Sequence, residues 1–304
     1  MEENQNQEKK KEPREKFNFE KFYNKNYKLI LVIPLIFLLA CSFYLYNFQK
    51  VNGDIISKDI TLSGGTSIQI NTDRNIEELR TILEANFEEV SIRAISDVLT
   101  GKQLALVIET TADVDEIQPF LEKEMGFVLN EENSSIEFTG SSLSDSFYNQ
   151  LRFALLLSFI LMALVVFIIF RTFVPSIAVV FAALGDILMT LVIVNFLGMK
   201  LSTAGIVAFL MLIGYSVDTD ILLTTRVIKR KEGEVNERIF GAFKTGMTMT
   251  LTSLVVVIVS FILTSGFSKV FNQIFAILII GLIFDIMNTW LFNASIIKWY
   301  AEKK

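Results

Sequence analysis

Six apolar stretches, each long enough to cross a lipid bilayer, constrain the fold of this 304-residue chain more than any other feature. A transmembrane helix needs about 20 mostly apolar residues to span a hydrocarbon core about 30 Å thick. The sequence therefore predicts an α-helical polytopic membrane protein with six transmembrane helices. The stretches lie at residues 29–48, 151–170, 175–196, 201–224, 246–264 and 274–297.

The composition argues against several kinds of site. The chain has no His, which is the commonest metal ligand and proton shuttle, and its single Cys can form neither an internal disulfide nor a zinc site. The sequence also has no GxxxxGK nucleotide-binding motif. We therefore expect neither enzymatic activity nor a bound cofactor.

Lys and Arg residues predict the orientation of the spans. They are concentrated in the tail at residues 1–28, in the loop after the fourth span and at the C-terminus, whereas the short loops on the other side hold only Lys200 and Lys269. Positively charged loops stay in the cytoplasm. We expect both termini to be cytoplasmic and residues 49–150 to face outward from the cell membrane. Apolar residues at every fourth position within 234–244 indicate either a short helix on the cytoplasmic surface or a plain connector.

The segment at residues 49–150 has the character of a soluble, acidic domain. The spacing of its apolar residues alternates in some stretches and follows the helical period in others, which predicts the element order β-α-β-β-α-β. Two helices on one face of a four-stranded antiparallel sheet would form a ferredoxin-like α+β domain between the first and second spans. The predicted strands are 60–70, 90–95, 104–110 and 134–140, and the predicted helices are 75–87 and 114–126.

Four carboxyl side chains lie within the predicted spans. They are Asp186 in the third, Asp218 and Asp220 in the fourth, and Asp285 in the sixth. A charge in hydrocarbon costs from about 2.5 to more than 10 kcal/mol, so such residues are usually functional. No Lys or Arg lies deep in any span, and burial without a cation favours the neutral form of a carboxyl group. These acids could carry protons, or they could be permanently neutral donors that hold helices together, and for Asp285 both alternatives stay open.

Helical geometry assigns these acids to particular faces. Asp218 and Asp220 project about 200° apart, so they belong to two different faces of the fourth helix. On the sixth helix, Asn288 and Thr289 share the face of Asp285. Small and polar residues let helices approach closely and hydrogen-bond across the contact. We expect the third, fourth and sixth helices to meet at a polar seam, which the hydroxyl residues of the fifth could join.

Four motifs add to these features: SGGT at 63–66, GSSLSDSF at 140–147, ALGDI at 183–187 and GYSVDTDILLTTR at 214–226. Together with the arrangement of the spans, they resemble the SecF family of protein-export membrane proteins. The resemblance covers nearly the whole chain after the tail, and the fourth span is similar to the archaeal branch of the family. SecF itself resembles half of an RND-type transporter.

This resemblance implies an accessory subunit of the Sec translocase that pairs with SecD to complete twelve helices. It would use the proton-motive force to help draw an unfolded polypeptide out of a SecYE-type channel, across or into the membrane.

The resemblance also bears on individual residues. The bacterial family motif, approximately GYSLNDT, aligns its aspartate with Thr219, and an arginine early in its fifth span corresponds to the region of Lys244. The candidate ion relay therefore comprises Asp186, Asp218, Thr219, Asp220 and Asp285, supported by Tyr215, Lys244, Asn288 and Thr289.

Two other functions remain open from the sequence. An RND-type exporter of lipids or small molecules usually has twelve helices and two large outer domains in one chain, twice what this chain contains. An intramembrane aspartyl protease uses two carboxyls on different helices, but residues 183–186 only approximate its GxGD motif. Carboxyl and hydroxyl groups suit H⁺ or Na⁺, so the sequence does not identify the ion.

Overall fold

The computed structural model describes residues 19–87, 90–96, 100–230, 232–264 and 268–303, and most of the predicted basic tail lies outside them. Within the described residues, six helices are long and apolar enough to cross a membrane, which confirms the number of spans. All six are longer than predicted, because helical hydrogen bonding continues past the apolar stretch. The six spans are Tyr23–Asn52, Leu143–Phe170, Phe173–Phe196, Thr203–Lys229, Val235–Thr264 and Lys269–Glu302.

The first and the sixth spans are each built from more than one helical element. In chain order, the elements are α1 (Phe19–Ile30), α2 (Val32–Asn52), α3 (Ile60–Ser63), β1 (Gly65–Ile70), α4 (Ile76–Glu84), β2 (Ser91–Ser96), β3 (Gln103–Thr110), α5 (Val114–Met125), β4 (Ser134–Thr139), α6 (Ser141–Phe170), α7 (Phe173–Phe196), α8 (Thr203–Lys229), α9 (Val235–Thr264), α10 (Lys269–Met287), a π-helical segment (Asn288–Asn293) and α11 (Ala294–Glu302).

The helices α7, α8 and α10 form the centre of the bundle. Their apolar residues make up most of one core cluster, in which Ile187 of α7, Leu212 of α8 and Leu278 of α10 are buried. A Cβ atom at Gly281 of α10 would overlap the side chain of Leu212. Glycine at this position therefore allows α8 and α10 to approach closely, as small residues do between membrane helices.

Between the first and second spans lies a small sheet covered by two helices. The four strands are antiparallel in the order β2-β3-β1-β4. Alternation along the strands directs Ile68, Leu106 and Ile108 towards Leu79 of α4 and Leu121 of α5 in one buried cluster. Both helices therefore cover the same face of the sheet, and neither of them covers the other face.

Lys269, at the start of α10, joins this sheet to the bundle. Its ammonium nitrogen lies 3.0 Å from a carboxylate oxygen of Asp59 and also pairs with Glu109 of β3. Both carboxyl groups are buried. The backbone N–H of Asp59 donates to the carbonyl of Leu201, before α8, at 2.9 Å. Lys269 therefore connects three parts of the molecule, which are the segment after the first span, the sheet and the sixth span. We call this set of contacts the Lys269 joint.

The predicted strand at residues 60–70 is wrong in its first half. Asp59 caps the short helix α3, because its carboxylate accepts a hydrogen bond from the backbone N–H of Ile60. The strand begins only at Gly65, whose φ is +134°, and a Cβ atom there would overlap the carbonyl of Thr110 on the neighbouring strand. The chain turns at a position that only glycine accommodates easily.

Residues 234–244 form neither a separate surface helix nor a plain connector, the two alternatives that the sequence left open. The helix α9 runs without a break from Val235 to Thr264. Ile239 and Ala242 are buried against Leu223 of α8 and Trp290 of the π-helical segment, so the apolar face of this stretch packs within the bundle.

Candidate functional site

Three of the four intramembrane acids lie together inside the bundle, and the fourth does not. Asp186 on α7, Asp220 on α8 and Asp285 on α10 are fully buried, whereas Asp218 is exposed on the surface of α8. Asp285 interacts electrostatically with both Asp186 and Asp220. We call the site formed by these three carboxyls and their hydrogen-bond partners the polar seam.

Asp186 is held on both of its oxygens. The hydroxyl of Ser216 donates to Oδ2 at 2.5 Å, and the amide of Asn288 donates to Oδ1 at 2.7 Å. A Cβ atom at Gly185 would lie 3.0 Å from Asn288 Nδ2, so glycine keeps room for this amide. One carboxyl therefore links α7, α8 and the segment after α10 through two hydrogen bonds.

Asp220 is held on one oxygen only. The amide of Asn293 donates to Asp220 Oδ1 at 2.7 Å, while Oδ2 is buried and has no hydrogen-bond partner among the described residues. Thr224 lies one turn along the same face, and its buried hydroxyl likewise has no partner in the described part of the chain. The second oxygen of Asp220 is therefore available to hold a proton next to a hydroxyl group.

Asp285, like Asp220, accepts a hydrogen bond on only one of its two carboxyl oxygens. The hydroxyl of Thr289 donates to Asp285 Oδ1 at 3.1 Å, and Oδ2 is buried without a hydrogen bond to any residue that the structure describes. A buried polar atom without a hydrogen bond lowers the stability of the fold by about 1–3 kcal/mol. Such atoms are rare in native proteins, so each one calls for an explanation. An ordered water next to this oxygen would remove that cost, and protonation would remove the separate cost of a buried charge.

The π-helical segment explains why two asparagines face the seam. In an α-helix, residues five apart project about 140° from each other, so Asn288 and Asn293 would face different neighbours. In a π-helix, residue i bonds to residue i+5, and the two side chains align. The backbone N–H of Ala294 bonds to the carbonyl of Thr289, which shows this wider turn. Asn293 was not among the residues predicted from the sequence, because the prediction used α-helical spacing throughout.

The remaining candidate residues lie outside the three-carboxyl site. Tyr215 and Asp218 belong to an exposed stripe of α8, and Thr219 is buried near Gly246 of α9. Lys244 is exposed and forms no ion pair with the seam carboxyls. Among the described residues, no Lys or Arg contacts Asp186, Asp220 or Asp285.

Three hydroxyl groups of the fifth span bond within their own helix and not to the seam carboxyls. Thr248, Thr252 and Ser260 each donate to the backbone carbonyl four residues earlier in their own helix. This local bonding satisfies a hydroxyl group within an apolar helix without a second helix.

The seam combines three buried carboxyls with neutral hydroxyl and amide groups. The described residues contain no group of three or more His, Cys, Asp or Glu side chains placed to hold a metal ion. Charge on one buried carboxyl disfavours charge on its neighbours, because like charges repel strongly where water is excluded. Adding or removing one proton therefore changes the hydrogen bonds that join three spans.

Comparison with known proteins gives a consistent result. A family model described as "Protein export membrane protein SecD/SecF, C-terminal" matches residues 121–303. The SecF of Methanocaldococcus jannaschii is 39% identical over 285 residues, 92% of this chain and 97% of that protein. The SecF of Methanolacinia petrolearia is 36% identical over 278 residues, 91% of this chain and 94% of that protein.

A solved structure shares the fold. The crystal structure of SecDF from Thermus thermophilus, a translocon-associated membrane protein, superposes with a TM-score of 0.72 at 17% identity. The match covers 95% of this chain and 39% of that longer chain, so this chain spans well under half of its length.

Proposed function

Because this chain belongs to the SecF family of protein-export membrane proteins, we propose that its buried carboxyls couple the proton-motive force to protein export. The chain acts as an accessory subunit of the Sec translocase and does not itself catalyse a covalent reaction. It helps an unfolded polypeptide leave a SecYE-type channel, across the membrane or into it.

The observation that carries this proposal is the set of three buried acids on three spans. Asp186, Asp220 and Asp285 are all inaccessible to solvent, and no described Lys or Arg neutralises them. Intramembrane acids of this kind mark ion pathways more often than they mark structural contacts. Asp186 and Asp220 accept hydrogen bonds from other spans, so a change of their protonation alters helix packing.

The three acids have different roles in this proposal. Asp186 is the fixed member, because both of its oxygens accept hydrogen bonds from neutral donors. Asp220 and Asp285 each have one buried oxygen without a partner among the described residues, and these oxygens take up and release the proton. Thr289 and Asn293 keep the two carboxyls oriented between the two states.

A SecD-like subunit covers the exposed stripe of α8. Val207, Met211, Tyr215 and Asp218 recur at intervals of three or four residues, and all are exposed. Asp218 lies about 22 Å along α8, close to the middle of the helix, where a carboxyl facing lipid is costly. A second six-helix subunit with a hydrogen-bond donor opposite Asp218 would remove this cost and complete an RND-like unit of twelve helices.

We assign both termini to the cytoplasm and the sheet domain to the outer face of the cell membrane. The strand order and the two helices on one face support a ferredoxin-like domain at residues 49–150. The sequence divides the chain into a basic tail (1–28), a first transmembrane helix (29–48), the outer domain (49–150) and a five-helix bundle (151–304). The helices extend the first span to Tyr23–Asn52 and begin the second span at Leu143.

The proposal is tested in membrane vesicles that contain this chain, its co-isolated SecD-like subunit and the channel. Export of a reporter protein is measured with and without a protonophore, in the wild type and in Asp220→Asn and Asp285→Asn. We expect each variant to lose the part of export that depends on the gradient and to keep the remainder. Asp73→Asn, an exposed acid in the outer domain, is the matched control.

Two results would contradict the proposal. Undiminished gradient dependence in both variants would exclude the proton-carrier role, and isolation of the chain without any second membrane subunit would favour a self-assembled exporter. A sodium ionophore used in parallel identifies the ion, because only collapse of the coupled gradient reduces export.

A further inference from the structure

A polar groove lies between the free face of the outer-domain sheet and the first turn of α10. Its volume is about 460 Å³, which is within the range of binding cavities. It sits at the outer end of the bundle, next to the Lys269 joint. The residues that line it are Ser67, Gln69, Arg93, Ala94, Ile95, Val107, Ser135, Glu137, Ser268, Lys269, Val270 and Asn272.

Strand alternation produces the polar character of this groove. One face of the sheet is apolar and packs against α4 and α5, so every second residue of each strand projects the other way. On that side, Ser67 pairs with Glu137 and Gln69 pairs with Ser135 across β1 and β4. In most sheets with helices on one face, the other face is open to solvent. Here the start of α10 lies beside that other face and forms one wall of the groove.

The lining offers both hydrogen-bond donors and acceptors. Gln69 and Asn272 carry an amide each, and the groove also contains the hydroxyls of three serines. Arg93 has a buried Nε–H group with no acceptor among the described residues. A ligand that brings carbonyl oxygens would satisfy this donor.

The charges and polarity of the groove disfavour free anions and apolar ligands. Arg93 lies 3.6 Å from Glu109, and Lys269 also pairs with Glu109, so the two cations are largely neutralised. Glu137 adds a negative charge to the lining, which disfavours a phosphate or other free anion. Few large apolar side chains are present, which disfavours a lipid chain or an apolar helix.

We propose that an extended segment of the exported polypeptide lies in this groove. Every residue of such a chain presents one N–H and one C=O, whatever its side chain. Amide and hydroxyl side chains with charges of both signs can bond to that backbone without selecting a sequence, as export of many proteins requires. The inference rests on the proposed role in export and names the part of the chain that meets the substrate.

The test places a photo-reactive phenylalanine analogue in the complete complex during export of a reporter chain that is stalled in transit. Position 135 lies in the groove, and position 81 is an exposed site on α4, on the opposite side of the sheet. We expect cross-links to the reporter from position 135 and none from position 81. Equal cross-linking at both positions, or none at position 135 while export continues, would overturn the inference and leave the proposed function standing.

A second variant fills the groove without touching its ion pairs. Ser135→Trp places a large ring among the lining residues, and Thr81→Trp adds the same ring on the helix side. We expect Ser135→Trp to abolish cross-linking from a probe at position 67 and to slow export, while Thr81→Trp changes neither. Resistance of both variants to a protease, matched to the wild type, verifies that the domain is folded. Retained cross-linking from position 67 in folded Ser135→Trp would also contradict the inference.

Discussion

At the level of single residues, hydrogen bonding distinguishes Asp186 from the other two acids of the seam. Ser216 and Asn288 both donate to Asp186, and a buried donor left without an acceptor costs about 1–3 kcal/mol. An asparagine at position 186 can keep both contacts, because its carbonyl accepts from Asn288 and its amide can donate to the hydroxyl oxygen of Ser216.

We therefore expect Asp186→Asn to unfold in detergent close to the wild-type temperature. Asp186→Leu keeps the branching at Cγ but has larger methyl groups and no polar atom. It therefore leaves two buried donors unpaired, and we expect it to lose roughly 2 kcal/mol or more of unfolding free energy. Thermal unfolding of both variants measures the difference. Equal loss in the two would mean that the acid contributes through its charge and not through its hydrogen bonds.

At the level of elements, the π-helical segment decides which side chains reach the seam. Deletion of Leu291, within this segment, would convert the wide turn into regular α-helix. Asn288 and Asn293 would then lie four residues apart, and residues four apart also share a helix face. Both amides would keep their direction towards Asp186 and Asp220.

The matched deletion lies in the regular part of the same span. Deletion of Ile283, an exposed residue of α10, rotates everything on one side of it by about 100° and separates Asp285 from the helices that surround it. We expect the Leu291 deletion to retain folding and gradient-dependent export, and the Ile283 deletion to lose both. If the Leu291 deletion is as damaging as the Ile283 deletion, the segment has a role beyond orientation.

A further element-scale prediction concerns the Lys269 joint. Lys269→Met leaves the buried carboxyl of Asp59 without its cation and Glu109 with Arg93 alone, and removing one partner of a buried ion pair costs about 3–5 kcal/mol. We expect faster hydrogen exchange in residues 57–63 while the exchange of the helical core of the outer domain stays unchanged. Adding Asp59→Asn to Lys269→Met should slow that exchange again, because it removes one unpaired charge. Unchanged exchange in Lys269→Met would show that apolar packing alone holds the domain.

The same elements show how far the sequence could predict the fold. The spans were predictable because length and apolarity suffice to identify them, and the strands of the outer domain because they alternate. The short helix α3 was missed because its capping by Asp59 and the turn at Gly65 are local backbone events within an apparently continuous strand. Asn293 was missed because a change from α- to π-helical spacing leaves no mark in hydrophobic periodicity.

At the scale of the whole molecule, Asp218 is the residue whose surroundings should differ most between the isolated chain and the proposed assembly with a SecD-like subunit. It contributes nothing to the described seam, yet it lies exposed near the middle of a span. The sequence could place it on a different face from Asp220, but it could not show whether that face meets another helix of the same chain.

We expect Asp218→Leu to leave the unfolding temperature of the purified chain unchanged and to reduce co-isolation of the SecD-like subunit from native membranes. A change at Val256, an exposed apolar residue of α9, to Leu serves as the control for surface substitutions in general. If Asp218→Leu co-isolates as much partner as this control does, another face forms the interface.

The central claim is that carboxyls in the seam change protonation, and infrared difference spectroscopy of the reconstituted complex tests it most directly. When the pH on the outer side is stepped, we expect the carbonyl band of a neutral, buried carboxylic acid to appear or disappear. This change should be missing in the double variant Asp220→Asn/Asp285→Asn and present in Asp186→Asn. If the wild type shows no such change at any pH at which the complex stays folded, or if the double variant retains it, the ion-relay account is contradicted.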